Sequence, residues 1–522
     1  MKLSDILKKY LLTRKFFLIV YVMIGISTTI IYIYSSYIIG NFIDVLVKSR
    51  EMREIYFYIS KFTILNIISF FLDYFANRLY LDIQMNSSFL FNKDLIEHFQ
   101  CLSLIHSDNF DKSYITQEFN NDSNGLVIFL MDILKNIPIN IITLIVSFAF
   151  IINLSFTITM ILVSSCFFYI VVFIIMKRKI YEINLKLLES QSEFFKQSFI
   201  QISRLKSIKI HNISNYLREF LDKSFSNLKE VSKEHLNINY IYSGLNGMTQ
   251  HIVLIITFLY GGYLVINEKI SIGELTIIAA FFNNILTSIN YFMSLGEKYQ
   301  EARGMLQRTN ELLKIPKETN GKIILEKIEK VTTKNLNFSY GDKVVLKNFS
   351  YEFTKGNIYL IEGNNGVGKT TLTNLLAGLY IDNFQGEIRI NNCPIKKIGM
   401  KNLRETLISY TEQSPFLIYS YIKEIPRKKF LRKILKEFNL ENIDIDNNVT
   451  KNLSQGQKQK FAIVQTLYKN GDLLFFDEPT SNLDNESKKA FFKILKEIKK
   501  DKIIILISHE DIKSKVDYSV KL

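Results

Sequence analysis

The sequence predicts a multi-domain chain, an all-α domain of six transmembrane helices followed by a soluble α/β domain of the phosphate-loop type. Three observations predict this fold class. Long segments without Asp, Glu, Lys or Arg occur only in the N-terminal part, up to Gly296. Beyond residue 321 the composition changes to short Ile/Val/Leu segments, glycine turns and amphipathic helices. A glycine-rich loop, Gly363–Thr370, follows one of these short apolar segments.

Composition and charge limit the class of protein. Of the 522 residues 48% are hydrophobic and 13% aromatic, which excludes intrinsic disorder, collagen and coiled-coil rods. The net charge of +15 is typical of nucleic-acid-binding proteins but also of the cytoplasmic loops of membrane proteins. The charge-free segments favour a membrane protein as the explanation of this charge, so we expect no nucleic-acid partner. Three cysteines at distant positions form neither a disulfide framework nor a zinc motif.

The first charge-free segment runs from Phe16 to Ile43 and exceeds the ~20 residues that a helix needs to cross a bilayer. Basic residues precede it, as they do in a secretory signal peptide. A signal peptide has an apolar region of only ~7–15 residues and a small-residue cleavage pattern, which is missing here. We therefore interpret this segment as a retained helix.

Five further spans follow the first. The second, Ile55–Phe75, is interrupted by Lys61 and Asp73. Asn136–Met176 is long enough for two spans, joined by a turn near Asn153–Ser155. Leu236–Asn267 and Leu275–Gly296 complete the six.

The basic residues predict the orientation. Clusters before Phe16 and at Lys177–Lys179 indicate cytoplasmic ends, and six spans return the chain to the cytoplasm. Two long connections, residues 76–125 and 177–240, have apolar residues at helical spacing. They are interpreted either as solvated helical loops or as helical extensions that reach into the cytosol and contact something there. The predicted domains are a transmembrane domain at 1–313, a linker at 314–328 and a nucleotide-binding domain at 329–522.

The glycine-rich loop is the first candidate site. It has the form G-x-x-x-x-G-K-[ST] between a predicted strand, Ile358–Glu362, and a helical segment. Backbone N–H groups of such a loop surround phosphates, and the helix N-terminus adds positive potential. Lys369 is expected to neutralise the β/γ oxygens and Thr370 to bind Mg²⁺. The candidate nucleotide-binding residues of the loop are Gly363, Asn364, Asn365, Gly366, Val367, Gly368, Lys369, Thr370 and Thr371.

Two carboxylates follow a second apolar strand, Leu473–Asp477. Beside a phosphate loop, Asp477 would supply a further contact to Mg²⁺. Glu478 would lie beside the γ-phosphate and polarise the attacking water. The alternative is that both residues end a strand in a solvated turn, but the phosphate loop favours the catalytic interpretation.

Five more segments carry a resemblance to a known family. Leu453–Gln457, 20 residues before Asp477, resembles the signature sequence of ATP-binding cassette (ABC) ATPases. Ser481–Asp484 is similar to the D-loop of that family, and His509 after Ile503–Ile507 is similar to its switch histidine. Gln413 resembles the Q-loop glutamine and Tyr340 the A-loop aromatic residue. Six spans fused to one cassette resemble a half-size exporter.

The resemblance implies roles for these residues. Tyr340 would stack on adenine, Gln413 would contact Mg²⁺ and signal to the membrane domain, and His509 would hold the γ-phosphate and Glu478. The signature residues would contact ATP held by a second subunit, so a dimer is implied. A homodimer is expected, and a heterodimer with a similar half-transporter stays open. The implied cofactors are ATP and Mg²⁺; the catalytic set is Glu478, His509, Lys369 and Gln413, the signature set is Ser454, Gly456 and Gln457, and the metal set is Thr370, Gln413 and Asp477.

The sequence departs from the family pattern at two places. Gln455 stands where the signature usually has glycine. The stretch from Gln413 to Leu453 is short, and the usual acidic, glycine-containing loop is not recognisable in Asn442–Asn452. One amphipathic helix is predicted there, with Phe430, Leu431, Ile434, Leu435 and Phe438 on one face.

The resemblance implies ATP-driven export by alternating access. Heavy use of Ile, Lys and Asn suits an AT-rich bacterial genome, so we expect a multi-pass protein of a bacterial cytoplasmic membrane, with its cassette in the cytoplasm. A peptide or bacteriocin is the expected cargo. A multidrug or lipid exporter and an ATP-gated regulatory or immunity protein are the alternatives. Candidate cargo-binding residues are Tyr21, Tyr32, Tyr34, Tyr37, Asp73, Asn283, Asn284 and Asn290. For the tyrosines and asparagines the favoured alternative is a role in interhelical hydrogen bonds and interfacial belts.

Overall fold

The computed structural model describes residues 1–48, 52–108, 110, 112–418, 429–441 and 453–522. Packing divides the chain into two units. One contains Met1–Ile96 with Thr116–Leu312, and the other contains Glu97–Ile115 with Leu313–Leu522. Residues 97–115, which the sequence analysis counted in the transmembrane domain, therefore pack with the C-terminal unit. The predicted boundaries at 313 and 328 stay predictions.

Six helices in the described part of the chain are long and apolar enough to cross a membrane, which confirms the predicted number. The predicted turn between the third and fourth is also found, because Ser155 separates two helices and caps the second through Ile158 N. The N-terminal helices are α1 (Leu3–Ile6), α2 (Lys15–Lys48), α3 (Met52–Gln100), α4 (Leu104–Ser107), α5 (Lys112–Leu154), α6 (Phe156–Ser203), α7 (Leu205–His211), α8 (Ser214–Ile266) and α9 (Ile272–Lys314).

Of the two charged residues in the second span, Lys61 is half-buried and Asp73 is exposed. The Lys61 Nζ donates a hydrogen bond of 2.6 Å to the Tyr34 hydroxyl on α2. Asp73 is exposed on α3. Long helices continue past the apolar segments, as predicted: α3 extends to Gln100, α6 to Ser203, and α8 begins at Ser214.

The C-terminal unit is built on two sheets. An antiparallel sheet has the strand order β2-β1-β4-β5, and a parallel sheet has the order β6-β7-β8-β3-β9. The central strands β3, β7 and β8 are almost continuously apolar and buried, as is typical of a parallel sheet covered on both faces. The strands are β1 (Lys330–Tyr340), β2 (Lys343–Thr354), β3 (Ile358–Glu362), β4 (Phe384–Ile390), β5 (Cys393–Pro394), β6 (Ile408–Thr411), β7 (Leu473–Asp477), β8 (Ile503–Ile507) and β9 (Tyr518–Lys521).

Helices cover the parallel sheet, and two cores lie between the layers. The amphipathic helix predicted after Gln413 is present. Its Ile434 and Leu435 are buried, as is Phe438 just beyond it, and Phe430 is 46% exposed. The Leu431 side chain and Asn442–Asn452 lie outside the described parts. The helices are α10 (Lys369–Leu376), α11 (Met400–Asn402), α12 (Lys429–Glu437), α13 (Gln455–Lys469) and α14 (Asn485–Ile498).

Candidate functional site

Four neighbouring parallel strands bring most of the predicted site residues to one edge of the sheet. Strands β6, β7, β8 and β3 lie side by side and point the same way, so the segments that follow them meet at the carboxyl edge. Gln413 follows β6, Asp477 ends β7, His509 follows β8, and the glycine-rich loop follows β3. The topology therefore assembles a single site from segments that are far apart in sequence.

The glycine-rich loop leads from β3 into the N-terminus of α10. Gly366 and Gly368 have φ of +80° and +109°, a conformation that strongly favours glycine. The Lys369 side chain folds back over the loop, and its Nζ donates a hydrogen bond of 2.7 Å to Gly363 O. Backbone N–H groups at a helix N-terminus together with a lysine fit a phosphate group. The exposed part of the loop is Asn364, Asn365, Gly366 and Thr370; Val367 is half-buried and Thr371 is buried.

The predicted metal ligands lie together. Thr370 Oγ1 donates a hydrogen bond of 2.8 Å to Asp477 Oδ2. Both residues and Gln413 line one cavity of about 500 Å³. Burial raises the pKa of the Asp477 carboxyl, since the ionised form loses water there, although the Thr370 hydroxyl partly offsets this. A hydroxyl, a carboxylate and an amide are hard oxygen donors, so the set fits Mg²⁺.

Glu478 and His509 form the second polar pair at this edge. Glu478 has a φ of +49°, which is uncommon for a residue with a side chain and is held by its N–H donating 2.9 Å to Ile507 O. Its Oε1 lies 3.0 Å from His509 Nε2. The Glu478 carboxylate is only 20% exposed, whereas His509 is 47% exposed. The pair places a carboxylate, oriented by an imidazole, next to the phosphate loop.

Tyr340, the predicted adenine contact, is the last residue of β1 and is 41% exposed. Its hydroxyl donates a hydrogen bond of 3.0 Å to the hydroxyl of Tyr380 and lies 3.5 Å from Thr371 Oγ1. The rings of Tyr340 and Tyr380 meet edge to face. Sequence reasoning missed Tyr380, because nothing in its local pattern distinguishes it from a core aromatic residue.

The signature residues are organised around the N-terminus of α13. Ser454 Oγ accepts a hydrogen bond of 3.2 Å from Gln457 N, and Gln457 Oε1 accepts one of 2.9 Å from Ser454 N. This reciprocal pair is a capping box, which stabilises a helix N-terminus. In the described residues, no hydrogen bond or ion pair joins Ser454, Gly456 or Gln457 to the glycine-rich loop of the same chain.

Gly456 packs against the D-loop, so we predict that Gly456→Ala displaces it. An added Cβ would lie 2.8 Å from Asn482 O, a backbone atom that has to shift. We expect a loss of about 1–3 kcal/mol of stability and a several-fold lower ATP turnover. Gly304→Ala is a matched control because nothing lies within 4 Å of its added Cβ. Thermal unfolding and ATPase assays check this, and wild-type values for both would contradict the packing argument.

A salt bridge missed by sequence reasoning joins the signature helix to the D-loop. Lys460 Nζ lies 2.8 Å from Asp484 Oδ2 and donates 3.3 Å to Phe438 O. Asp484 also caps α14 by accepting from Ser487 N at 2.8 Å. Lys460 and then the Ser487 N–H hold the pKa of the Asp484 carboxyl well below its usual range. Since a lowered carboxyl pKa stabilises the fold at every pH above its ordinary value of about 3.9, the contribution is full at pH 7.

We predict that Lys460→Met weakens this connection. The substitution keeps the apolar stem but removes the charge from Asp484 and the donor from Phe438 O. Because Asp484 is 58% exposed, we expect a loss of only about 1 kcal/mol of stability at pH 7. The rate of ATP hydrolysis should fall by more than this small loss of stability alone would cause. Lys458→Met is the control, and equal effects of both variants on ATPase rate would count against the role of Lys460.

Residues 97–115 contact the cassette close to Gln413. Leu104 and Ile105 of the short helix α4 pack against its core. Glu318 N donates a hydrogen bond of 2.8 Å to Cys101 O. Leu104 also lines the cavity that contains Gln413, Thr370 and Asp477. The first long connection therefore contacts the cassette, which agrees with the second of the two interpretations of these connections.

The candidate cargo residues fall into two groups. Tyr21 and Asn284 are buried, with exposed fractions of 5% and 7%, and so belong to the packing of the helices. Asp73, Asn283 and Asn290 are exposed, as are Tyr32, Tyr34 and Tyr37.

Comparisons with known families match both parts of the chain. Residues 18–289 match the model of the ABC transporter transmembrane region. Residues 346–481 match the model of the ABC transporter. A solved structure described as a bacterial Atm1-family ABC exporter with ATP bound superposes with a TM-score of 0.79 at 17% identity, covering 94% of this chain and 91% of that one. At that identity the likeness shows the fold alone.

Several curated proteins are similar in sequence. The alpha-hemolysin translocation ATP-binding protein HlyB of Escherichia coli O157:H7 is 30% identical over 285 residues, 50% of this chain and 40% of that protein. The lactococcin-G-processing and transport ATP-binding protein LagD of Lactococcus lactis subsp. lactis is 26% identical over 365 residues, 66% and 51% of the two chains. The ATP-dependent lipid A-core flippase of Haemophilus influenzae (strain 86-028NP) is 27% identical over 274 residues, 49% and 46%. The matches span about half the length of these relatives.

Proposed function

Because the chain belongs to the ABC transporter family, we propose that it is an ATP-driven exporter that acts as a dimer in a bacterial cytoplasmic membrane. Its fold, six apolar helices followed by one cassette, supports export. A peptide is the proposed cargo, in line with the names of HlyB and LagD. A lipid is the second candidate, because a lipid A-core flippase is similarly related.

One observation carries the proposal that ATP is hydrolysed and not merely bound. The Glu478 carboxylate lies 3.0 Å from His509 at the sheet edge that also holds Lys369 and the bonded pair Thr370 and Asp477. A protein that used ATP only as a gate would not need a carboxylate oriented beside the phosphates. We therefore assign Glu478 as the general base that polarises the attacking water.

The other residues of the edge bind and orient the nucleotide. Lys369 would leave Gly363 O and neutralise the phosphate oxygens, since an ammonium group prefers an anion to a carbonyl. Thr370, Asp477 and Gln413 would hold Mg²⁺, which spreads the charge of the transferred phosphoryl group. His509 would keep Glu478 in register through their existing contact. Tyr340 would stack on the adenine ring.

The proposal of a dimer rests on the position of the signature residues. Ser454, Gly456 and Gln457 surround a helix N-terminus that attracts anions, but no described contact joins them to the phosphate loop of their own chain. A second chain would bring its phosphate loop to this helix N-terminus. Two copies of this chain then give two complete sites, each with its own Glu478 and His509.

Residues 97–115 would couple the nucleotide site to the membrane helices, because they contact the cassette. Leu104 lies in the same cavity wall as Gln413, so a change at the metal ligands reaches α4 directly. Residues 97–115 include the end of α3, at Gln100, and the beginning of α5, at Lys112. Closing two cassettes on ATP would therefore pull on two long helices, and hydrolysis would reset them.

Mixing two impaired variants tests the two-copy site. Lys369→Ala damages the phosphate loop and Gly456→Ala the signature, so each homodimer should hydrolyse ATP at least several-fold more slowly than the wild type. In a purified mixed dimer one site carries both lesions and the other carries none. We expect up to about half of the wild-type ATPase rate in lipid nanodiscs. A mixed dimer no more active than the two homodimers would overturn the proposal that two chains build each site.

A further inference from the structure

Helix α9 carries a stripe of polar residues along one side of its membrane-spanning segment. Along one side, at alternating spacings of four and three residues, α9 presents amide, hydroxyl and finally carboxylate groups. The opposite side is buried and apolar, with Ile278, Phe282 and Ile285 at 4% exposure or less. The polar stripe consists of Asn283, Thr287, Asn290, Ser294, Glu297 and Glu301, of which Ser294 and Glu297 are half-buried and the others exposed.

This stripe is unsuited to a lipid environment. Amide and carboxylate groups in hydrocarbon lose their hydrogen bonds to water, so such residues in membrane helices face a water-filled cavity or another polar group. Helix α8 adds a further amide to the same place, because Gln250 Nε2 donates a hydrogen bond of 3.0 Å to Asn283 Oδ1. Four side-chain positions of the stripe lie within the predicted span Leu275–Gly296. The polar surface therefore extends along the membrane-spanning part of α9.

The cytoplasmic end of the stripe carries two unbalanced negative charges. Glu297 and Glu301 are one helical turn apart, and like charges at this spacing destabilise a helix. Within the described residues no ion pair is found for either carboxylate. The neighbouring Lys298 pairs instead with Asp132 on α5, with Nζ and Oδ2 3.2 Å apart. No Lys or Arg occupies a stripe position.

We propose that this stripe is the cargo-binding surface and that its cargo is an extended cationic peptide; the inference rests on the proposed export function. Side-chain amides donate and accept hydrogen bonds, as the peptide groups of an extended chain do. Asn283, Asn290 and Gln250 pair with the cargo backbone. Glu297 and Glu301 attract its Lys or Arg side chains at the cytoplasmic end. Since the stripe lacks a cation, it does not suit the phosphate of a lipid headgroup.

Peptide binding to the full-length protein in nanodiscs, without nucleotide, tests this assignment. The probes are fluorescent ten-residue peptides, one alternating Lys with Ser and one alternating Glu with Ser. The double variant Glu297→Gln, Glu301→Gln should bind the lysine peptide about tenfold more weakly, as expected for two lost exposed ion pairs of about threefold each. Glu189→Gln, an exposed glutamate on α6, is the matched control and should bind it as the wild type does.

The variant Asn283→Leu, Asn290→Leu adds an independent test of the amide contacts. It should weaken binding of the lysine peptide. The glutamate peptide should bind more weakly than the lysine peptide to this variant as to the wild type, because the two carboxylates are intact in both. Equal binding of both peptides by the wild type, or an unchanged affinity in the Glu297→Gln, Glu301→Gln variant, would overturn the inference. Displacement of the lysine peptide by soluble phosphatidylglycerol but not by unlabelled lysine peptide would assign the stripe to a lipid and overturn it too.

The ATPase rate of the wild type separates this inference from the proposed function. Hydrolysis without binding of the lysine peptide contradicts the stripe and leaves the ATP-driven transporter intact. Peptide binding by a folded dimer that does not hydrolyse ATP contradicts the proposed function and supports the stripe.

Discussion

Replacing Glu478 by Gln is expected to lower the ATP turnover of the protein at least about 100-fold, because a general base contributes roughly 10²–10⁴-fold to such a reaction. Glutamine has nearly the same shape as glutamate and keeps a hydrogen-bonding oxygen for His509, 3.0 Å away. It lacks the negative charge that polarises water. ATP should therefore still bind, and turnover measured in nanodiscs should nearly vanish.

Binding and turnover must be measured on the same sample. ATP binding without hydrolysis, with an unchanged thermal unfolding midpoint, identifies Glu478 as the base. Glu362→Gln is the matched control, because Glu362 is also a glutamate near the phosphate loop, but its ion-pair partner is Lys513, at 3.2 Å. Wild-type turnover in the Glu478→Gln variant would assign the base to another group.

Lys369→Ala is expected to raise the dissociation constant for ATP about 10- to 100-fold, the equivalent of one charge-assisted hydrogen bond of about 1.5–3 kcal/mol. Lys369 is 7% exposed, and its ammonium group already lies over the loop at Gly363 O. Its loss removes the cation from the phosphate site and leaves that carbonyl without its donor. Equilibrium binding of a fluorescent ATP analogue measures the change.

A lysine elsewhere on the cassette controls for the loss of general charge. Lys347→Ala on β2 removes an exposed lysine outside the glycine-rich loop and should bind the analogue as the wild type does. An equal loss of affinity for the analogue in both variants would indicate a nonspecific effect of net charge. Unchanged affinity in Lys369→Ala would contradict the phosphate-loop interpretation.

Much of the cassette could be predicted because its signals are local. Strands β3, β7 and β8 are short, almost uninterrupted apolar runs, and each ends at a polar segment that the chemistry needs. The spacing of the motifs then predicts the order of the elements. Similarly, most of the six spans follow from runs of uncharged residues that are long enough to cross the bilayer as helices.

The contacts that sequence reasoning missed depend on residues far apart in the chain. Lys460 and Asp484 both look like ordinary surface charges, yet the fold brings them within 2.8 Å. Tyr380 and Leu104 likewise carry no local sign that they lie beside Tyr340 and Gln413. Such pairs follow from tertiary packing, which no local pattern records.

Exposure within the membrane helices was also beyond the reach of the sequence. Asn283 and Asn284 are adjacent and chemically identical, yet one is exposed and the other buried, because successive residues of a helix point about 100° apart. The polar stripe of α9 became visible only when the buried side of the helix was known.

Uptake of a peptide into inside-out proteoliposomes tests the central claim, ATP-driven export, most directly. The lysine–serine peptide is added outside, where the cassettes face, together with ATP and Mg²⁺. We predict that it accumulates inside the vesicles with ATP, and does not with the Glu478→Gln variant. ATP hydrolysis by the wild type without transport of this peptide, a glutamate peptide or a labelled lipid would contradict the proposed export of a peptide or a lipid by this chain.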